Sequence, residues 1–369
     1  QRLEMALLRR EKAGQDQGPG DGALAELVPQ VDVQRRALLE ALQRDAAVHP
    51  RDQAALLAPW GEDSLVAQLG CEQLGGPATA CPAHRLGPWL VGRLFAITLV
   101  PALLLLAGLV LLCRTLWLVL RGRFPAPPPL VGPPLSLVDA TLVIAGGFVL
   151  LGEVLLPAFT QTGLTHVLGS MGLSASTRQG VDVLATYLTL MVAPLGLLAL
   201  LLPRQISPPR GGWLQWGWRP ANAVWLPAVQ MLLMVLPIVA WVSWLLQRVW
   251  SDPGGSNPLL EMVIGSSDAW ALLAFALTAV VLAPLFEETL FRGLLLPVLG
   301  RHLGGMGAVL VSALMFALAH LSLGELVPLS VLGVGLGLLR WQSGRLAASV
   351  CLHALWNGLT LFNLLLLSK

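Results

Sequence analysis

Residues 281–300 read VLAPLFEETLFRGLLLPVLG, an apolar run with Glu287, Glu288 and Arg292 at its centre. A charge taken out of water costs several kcal/mol unless a partner meets it. Two of the three answer one another. On a helix Glu288 and Arg292 stand four residues apart with the acid first, the favourable order for an ion pair on one face. Glu287 projects about 100° around the helix from Glu288, so its carboxylate is left without a local partner.

The solvent around this run can be read from composition. The chain has 369 residues, 55% of them hydrophobic and only 12% charged, with a mean hydropathy of +0.72. These values describe an integral membrane protein and not a soluble domain. The formal net charge of +2 argues neither way, and with no basic cluster to bind a phosphate backbone, nucleic acid is not expected as a partner. Polarity changes near Pro88: 21 charged residues fall in the first 90 and 23 in the remaining 279.

Residues 1–90 are expected to form an extramembrane helical segment. There a Gly- and Asp-rich break separates two amphipathic stretches, QRLEMALLRREK and LVPQVDVQRRALLEALQRDAAV. The reading is an accessory domain or a surface-lying segment. Cys71 and Cys81 stand close enough in sequence to close a short disulfide loop in an oxidising compartment, while Cys113 and Cys351 read as packing residues. From Leu94 the apolar runs are Leu94–Cys113, Val138–Phe159, Val183–Leu202, Ala223–Leu246, Ala269–Phe286, Gly307–Leu321, Leu326–Trp341 and Leu346–Leu367. At about 20 residues per transmembrane helix they predict an all-α, polytopic bundle of about eight spans. We divide it into N-terminal transmembrane helices, 91–265, and a C-terminal core, 266–369.

Alternating the loops between two sides puts ten arginines on one face: Arg114, Arg121, Arg123, Arg204, Arg210, Arg219, Arg292, Arg301, Arg340 and Arg345. Arg178, Arg248 and Lys369 fall on the other. The Arg-rich side is expected to be cytoplasmic, in a bacterial inner or plasma membrane or an internal membrane, with the Glu287 region at that end of its helix. Ser267 or Asp268 is the expected N-cap of the helix that delivers Glu287, and Pro284 and Pro297 are expected to bend it. Trp213, Trp216 and Trp218 read as an interfacial belt.

Two further apolar stretches carry polar groups. MFALAHLS holds His320 four residues after Phe316, and VCLHALWNGL holds His353 and Asn357 four apart on one face. A lone membrane histidine is often a satisfied core residue. A spare carboxylate, two imidazoles and an amide on three helices of one block point instead to one buried polar site. Such a set suits peptide hydrolysis, which needs a base for water, donors for the oxyanion and a proton for the leaving amine. Glu153 is another carboxylate at depth, equally explained by pairing with a neighbouring helix, and stays outside the catalytic set.

EETLFR (287–292), FALAH (316–320) and HALWN (353–357) match, in order, the EExxxR, FxxxH and HxxxN motifs. They resemble those of the CAAX-protease and bacteriocin-processing family, which includes the type II CAAX prenyl endopeptidases. The resemblance covers about the last hundred residues. It implies an all-helical glutamic intramembrane protease acting on membrane-associated proteins or peptides. Glu287 and His320 would activate water, His353 and Asn357 would form the oxyanion site, and Glu288 and Arg292 would support them, with no cofactor or metal. The rivals are a zinc protease with Glu287, His320 and His353 as ligands, a non-catalytic immunity or scaffold protein of the same family, and a transporter, which should show internal repeats.

Overall fold

The computed structural model describes residues 88–203, 206–250 and 268–368. The expectations for the first segment, the Cys71–Cys81 loop, Arg204, Ser267 and Lys369 lie outside the described residues. The chain divides into two compact units between Val100 and Pro101. Of the first, only residues 88–100 and Ser368 are described, and the helices that position the site belong to the second.

The described residues form helices and no strands. We label them α1 (Pro88–Leu120), α2 (Leu137–Ser170), α3 (Ala175–Leu201), α4 (Asn222–Val249), α5 (Ala269–Leu318), α6 (Leu326–Ser343) and α7 (Leu346–Ser368). All seven contain segments long and apolar enough to cross a membrane. At 50 residues α5 is about 75 Å of helix against a hydrocarbon core of about 30 Å. It folds back at Gly304, whose φ of 70° and ψ of 172° no helix accommodates. Residues on either side of that turn meet: Phe291 packs edge-on against Phe316, and Ser312 Oγ donates to the Phe291 carbonyl. Two antiparallel arms, 269–303 and 305–318, therefore cover two of the expected apolar runs within one helix, and seven helices able to cross a membrane stand among the described residues where about eight spans are expected.

The expectation that Glu287 lies at the end of its helix is corrected. The apolar run stops at Phe286, but the first arm continues to the turn at Gly304, so Glu287 is close to its midpoint. The helix continues because the charges that end the apolar run are met inside the bundle.

In three segments the helix widens to an i→i+5 register: Leu142–Leu155, Leu277–Leu282 and Thr289–Leu295. Each is closed by such a bond, from Leu156 to Leu151, Ala283 to Thr278 and Leu296 to Phe291. In each case the next residue is a proline, Pro157, Pro284 or Pro297, which has no N–H and presses on the carbonyl four residues back. Proline alone does not suffice, since Pro194, Pro227 and Pro237 sit in helices that stay α.

The second arm of α5 packs along α6 through small residues. A Cβ on Gly333 would stand 2.9 Å from Ala313 Cα, and one on Gly337 would stand 3.1 Å from Val309 Cγ1. Close backbone approach of this kind drives helix association where lipid supplies no hydrophobic gain.

Arginines tie down the loops at one end of this block. Arg301 donates to the carbonyls of Pro133 and Leu135, Arg340 to Val131, and Arg345 to Gly217 and Arg219. The loop that carries Trp213, Trp216 and Trp218 is thereby part of the packing, with Trp216 and Trp218 stacked at 6.0 Å. The loop-charge bias is weaker than the sequence count: Arg292 and Arg340 are buried inside helices.

At the other end Asp268 is the N-cap of α5, accepting from the amides of Trp270 and Ala271. The Ser174 and Thr177 hydroxyls also donate to it and hold its carboxyl at about 2. This stabilisation is present above the unfolded value of about 4 and is lost as pH falls through about 2. Asp268→Ala should therefore lower the melting temperature in detergent at pH 7, and the gap from wild type should narrow below pH about 4. Gly333→Ala should destabilise by about 1–3 kcal/mol in the same measurement. Gly196→Ala, where an added Cβ meets nothing within 4 Å, should be neutral or slightly stabilising.

Candidate active site

Glu288 and Arg292 are both fully buried on the first arm of α5, one turn apart. Arg292 Nη1 donates to Glu288 Oε1 at 2.9 Å, and its Nη2 donates to the Gly333 carbonyl of α6 at 3.0 Å. The guanidinium lies 4.4 Å from the centre of the Phe316 ring, a cation–π contact strengthened by the dry surroundings. Glu288 Oε1 also accepts from His353 Nδ1 at 3.0 Å. The pair expected from the four-residue spacing thus exists, and it fixes the orientation of an imidazole on α7.

Glu287 points elsewhere, as the helical geometry requires. Its Oε1 accepts a 3.0 Å hydrogen bond from the Tyr187 hydroxyl on α3. Oε2 is buried and has no hydrogen-bond partner among the described residues. Two imidazole nitrogens face that oxygen, His320 Nε2 at 4.0 Å and His353 Nε2 at 3.9 Å. These separations are too long for direct hydrogen bonds and suited to a bridging water.

His320 comes just after the end of the second arm. Its Nδ1 lies 2.8 Å from the Phe316 carbonyl, and its ring packs edge-on against Phe316 at 4.8 Å. A carbonyl only accepts, so Nδ1 carries the proton and Nε2 presents a lone pair towards Glu287. Leu321, the next residue, has a φ of 52°, a conformation that costs a bulky side chain roughly 1–3 kcal/mol and ends the helix there. His353 is nearly buried, with Phe316 edge-on at 5.6 Å.

Asn357, one turn beyond His353, donates from Nδ2 to the Ala279 carbonyl at 2.8 Å. The i→i+5 register explains why that oxygen takes a side-chain donor. In this register Pro284 stands where Ala279 would find its N–H, and proline has none. One amide N–H of Asn357 is thus engaged in closing the helix, leaving the second for other work.

Of the residues expected from sequence, Glu287, His320 and His353 converge, with Glu288 and Arg292 as their support. Asn357 shares the face of α7 and is tied to the arm that bears Glu287. Tyr187 is an addition that no motif announces. A signal is nonetheless present in sequence: it is the chain's single tyrosine and lies within an apolar span, where a hydroxyl needs a partner. Glu153 on α2 is within electrostatic reach of both Glu287 and Tyr187. Among the described residues no group of three His, Cys, Asp or Glu side chains is placed to hold a metal ion.

Glu288→Ala leaves Arg292 charged and without its carboxylate in a dry site, and should cost about 3–5 kcal/mol. Glu287→Ala loses one hydrogen bond and should cost about 1 kcal/mol. Thermal unfolding of the two purified variants measures the contrast.

Residues 269–359 match the family described as type II CAAX prenyl endopeptidase Rce1-like. Residues 1–87 match a domain of unknown function, DUF8675. Comparisons with curated proteins and with solved structures each find no match. The match over 269–359 holds all three motifs, so the C-terminal segment is similar to the Rce1-like type II CAAX prenyl endopeptidase family.

Proposed function

We propose that the chain is an intramembrane endopeptidase that hydrolyses peptide bonds of membrane-associated proteins or peptides with a water activated by Glu287. The observation that carries this reading is Glu287 Oε2, buried, without a protein hydrogen bond among the described residues and faced by His320 Nε2 at 4.0 Å and His353 Nε2 at 3.9 Å. A water hydrogen-bonded to all three fits those separations.

The step balances with these groups. Oε2 takes one proton of the water, and the remaining hydroxide bonds to the carbonyl carbon, whose π electrons move onto oxygen. His320 Nε2 accepts the second hydrogen of the water in a hydrogen bond and aims the nucleophile. Collapse of the tetrahedral species breaks the C–N bond, and the proton held by Glu287 passes to the leaving amine, restoring the carboxylate. His353, with Nδ1 donating to Glu288, donates from Nε2 to the oxyanion when its ring carries both protons. The second N–H of Asn357 is the other donor. Glu288 and Arg292 neutralise each other and hold this set in place.

A site near the middle of the first arm of α5 suits a substrate anchored in the bilayer, and the end bearing Arg301, Arg340 and Arg345 is taken as the cytoplasmic one. Purified protein in detergent should cleave labelled membrane-anchored peptides, a set that includes a farnesylated CAAX peptide and its unmodified counterpart. Glu287→Ala and Glu287→Gln should each lose about 100-fold or more of the rate at unchanged fold, with chelator without effect. Full activity of Glu287→Gln would overturn the reading, and loss on chelation would replace it with a metal mechanism.

A further inference from the structure

Tyr187 stands on α3, outside the family-matched residues 269–359, yet its hydroxyl touches the carboxylate on which the proposed reaction depends. We infer that Tyr187 is a positioning residue that fixes which oxygen of Glu287 acts as the base; this rests on the glutamate mechanism proposed above. A carboxylate has two equivalent oxygens, and rotation about its terminal torsion is soft. Donation from the Tyr187 hydroxyl to Oε1 at 3.0 Å removes that equivalence. Oε2 is then the atom aimed at both imidazoles.

The phenol is itself held in place. Its ring meets Phe286, the residue before Glu287, edge-on at 6.0 Å, and Phe286 meets Phe148 of α2 at 5.7 Å. An α2–α3 layer thus registers the N-terminal helices against the arm that bears Glu287. The groups facing the Tyr187 hydroxyl from the elements around it are Glu287 from α5 and Glu153 from α2. Both are hydrogen-bond acceptors when ionised, so the hydroxyl can only donate to them. The hydrogen bond occupies Oε1 and leaves Oε2 as the oxygen open to take a proton from water.

The test compares wild type with Tyr187→Phe, which removes one oxygen and keeps the ring contact with Phe286. Labelling of Glu287 by dicyclohexylcarbodiimide, which reacts at a carboxyl oxygen and has Oε1 opened to it when the Tyr187 hydroxyl is removed, is monitored by mass spectrometry in the full chain and needs no substrate. Labelling should be several-fold faster in Tyr187→Phe, with the melting temperature unchanged. Labelling at the wild-type rate overturns the inference.

On any membrane-anchored peptide that wild type cleaves, kcat should fall about tenfold or more with KM within twofold. Wild-type kcat in Tyr187→Phe equally overturns the inference. Glu287→Ala, run alongside, separates the two claims: if that variant still cleaves, the glutamate mechanism fails. If only Tyr187→Phe behaves as wild type, the positioning role fails alone.

Discussion

The structure around the site depends on one constraint, that Arg292 is charged and fully buried. A guanidinium cannot shed its proton, so burial requires its donors to be met on several sides. Glu288 meets it along the same helix, the Gly333 carbonyl meets it across the interface with α6, and Phe316 covers its face from the second arm of α5. The first contact is local, while the other two demand that α6 and both arms of α5 come together in one register. Gly333 serves twice, since its missing side chain also lets α6 approach Ala313.

The same pair separates the duties of two adjacent carboxylates. Glu288 is committed to Arg292 and His353 and is structural in the sense that its loss strands a cation. Glu287, a helical step of about 100° away, is turned towards Tyr187 and the two imidazoles. Adjacent residues of identical chemistry are thereby given different environments, one neutralised and one left for proton transfer. The widened turns on either side of this region belong to the same arrangement. Pro284 and Pro297 remove backbone donors, and at Ala279 the Asn357 side chain supplies the donor, so α7 is tied to the arm whose glutamate it faces.

Much of this is legible in the chain. The apolar runs and their length require membrane helices, and the i,i+4 order of Glu288 and Arg292 foretells their pairing. His320, His353 and Asn357 are visible as polar residues set in apolar stretches. What is not legible depends on contacts between distant segments. The apolar run stops at Phe286, which suggests a helix end; only the partners supplied by α6 and α7 let the helix continue, so sequence alone places Glu287 too near a terminus. A glycine among many gives no notice that Gly304 is the fold-back. Arg340, an apparent loop charge, is a buried clamp on the Val131 carbonyl. Tyr187 falls in a span without a motif, and its relation to Glu287 exists only once α3 and α5 are packed.

The most direct measurement of the central claim is an experimental structure of the full chain at a resolution that orders water. The account predicts one water within about 3 Å of Glu287 Oε2, His320 Nε2 and His353 Nε2, with Glu288 bonded to Arg292 and His353. Glu287 engaged by protein donors through both oxygens would contradict it. So would a peak about 2 Å from all three side chains, the distance of a metal ion and not of water.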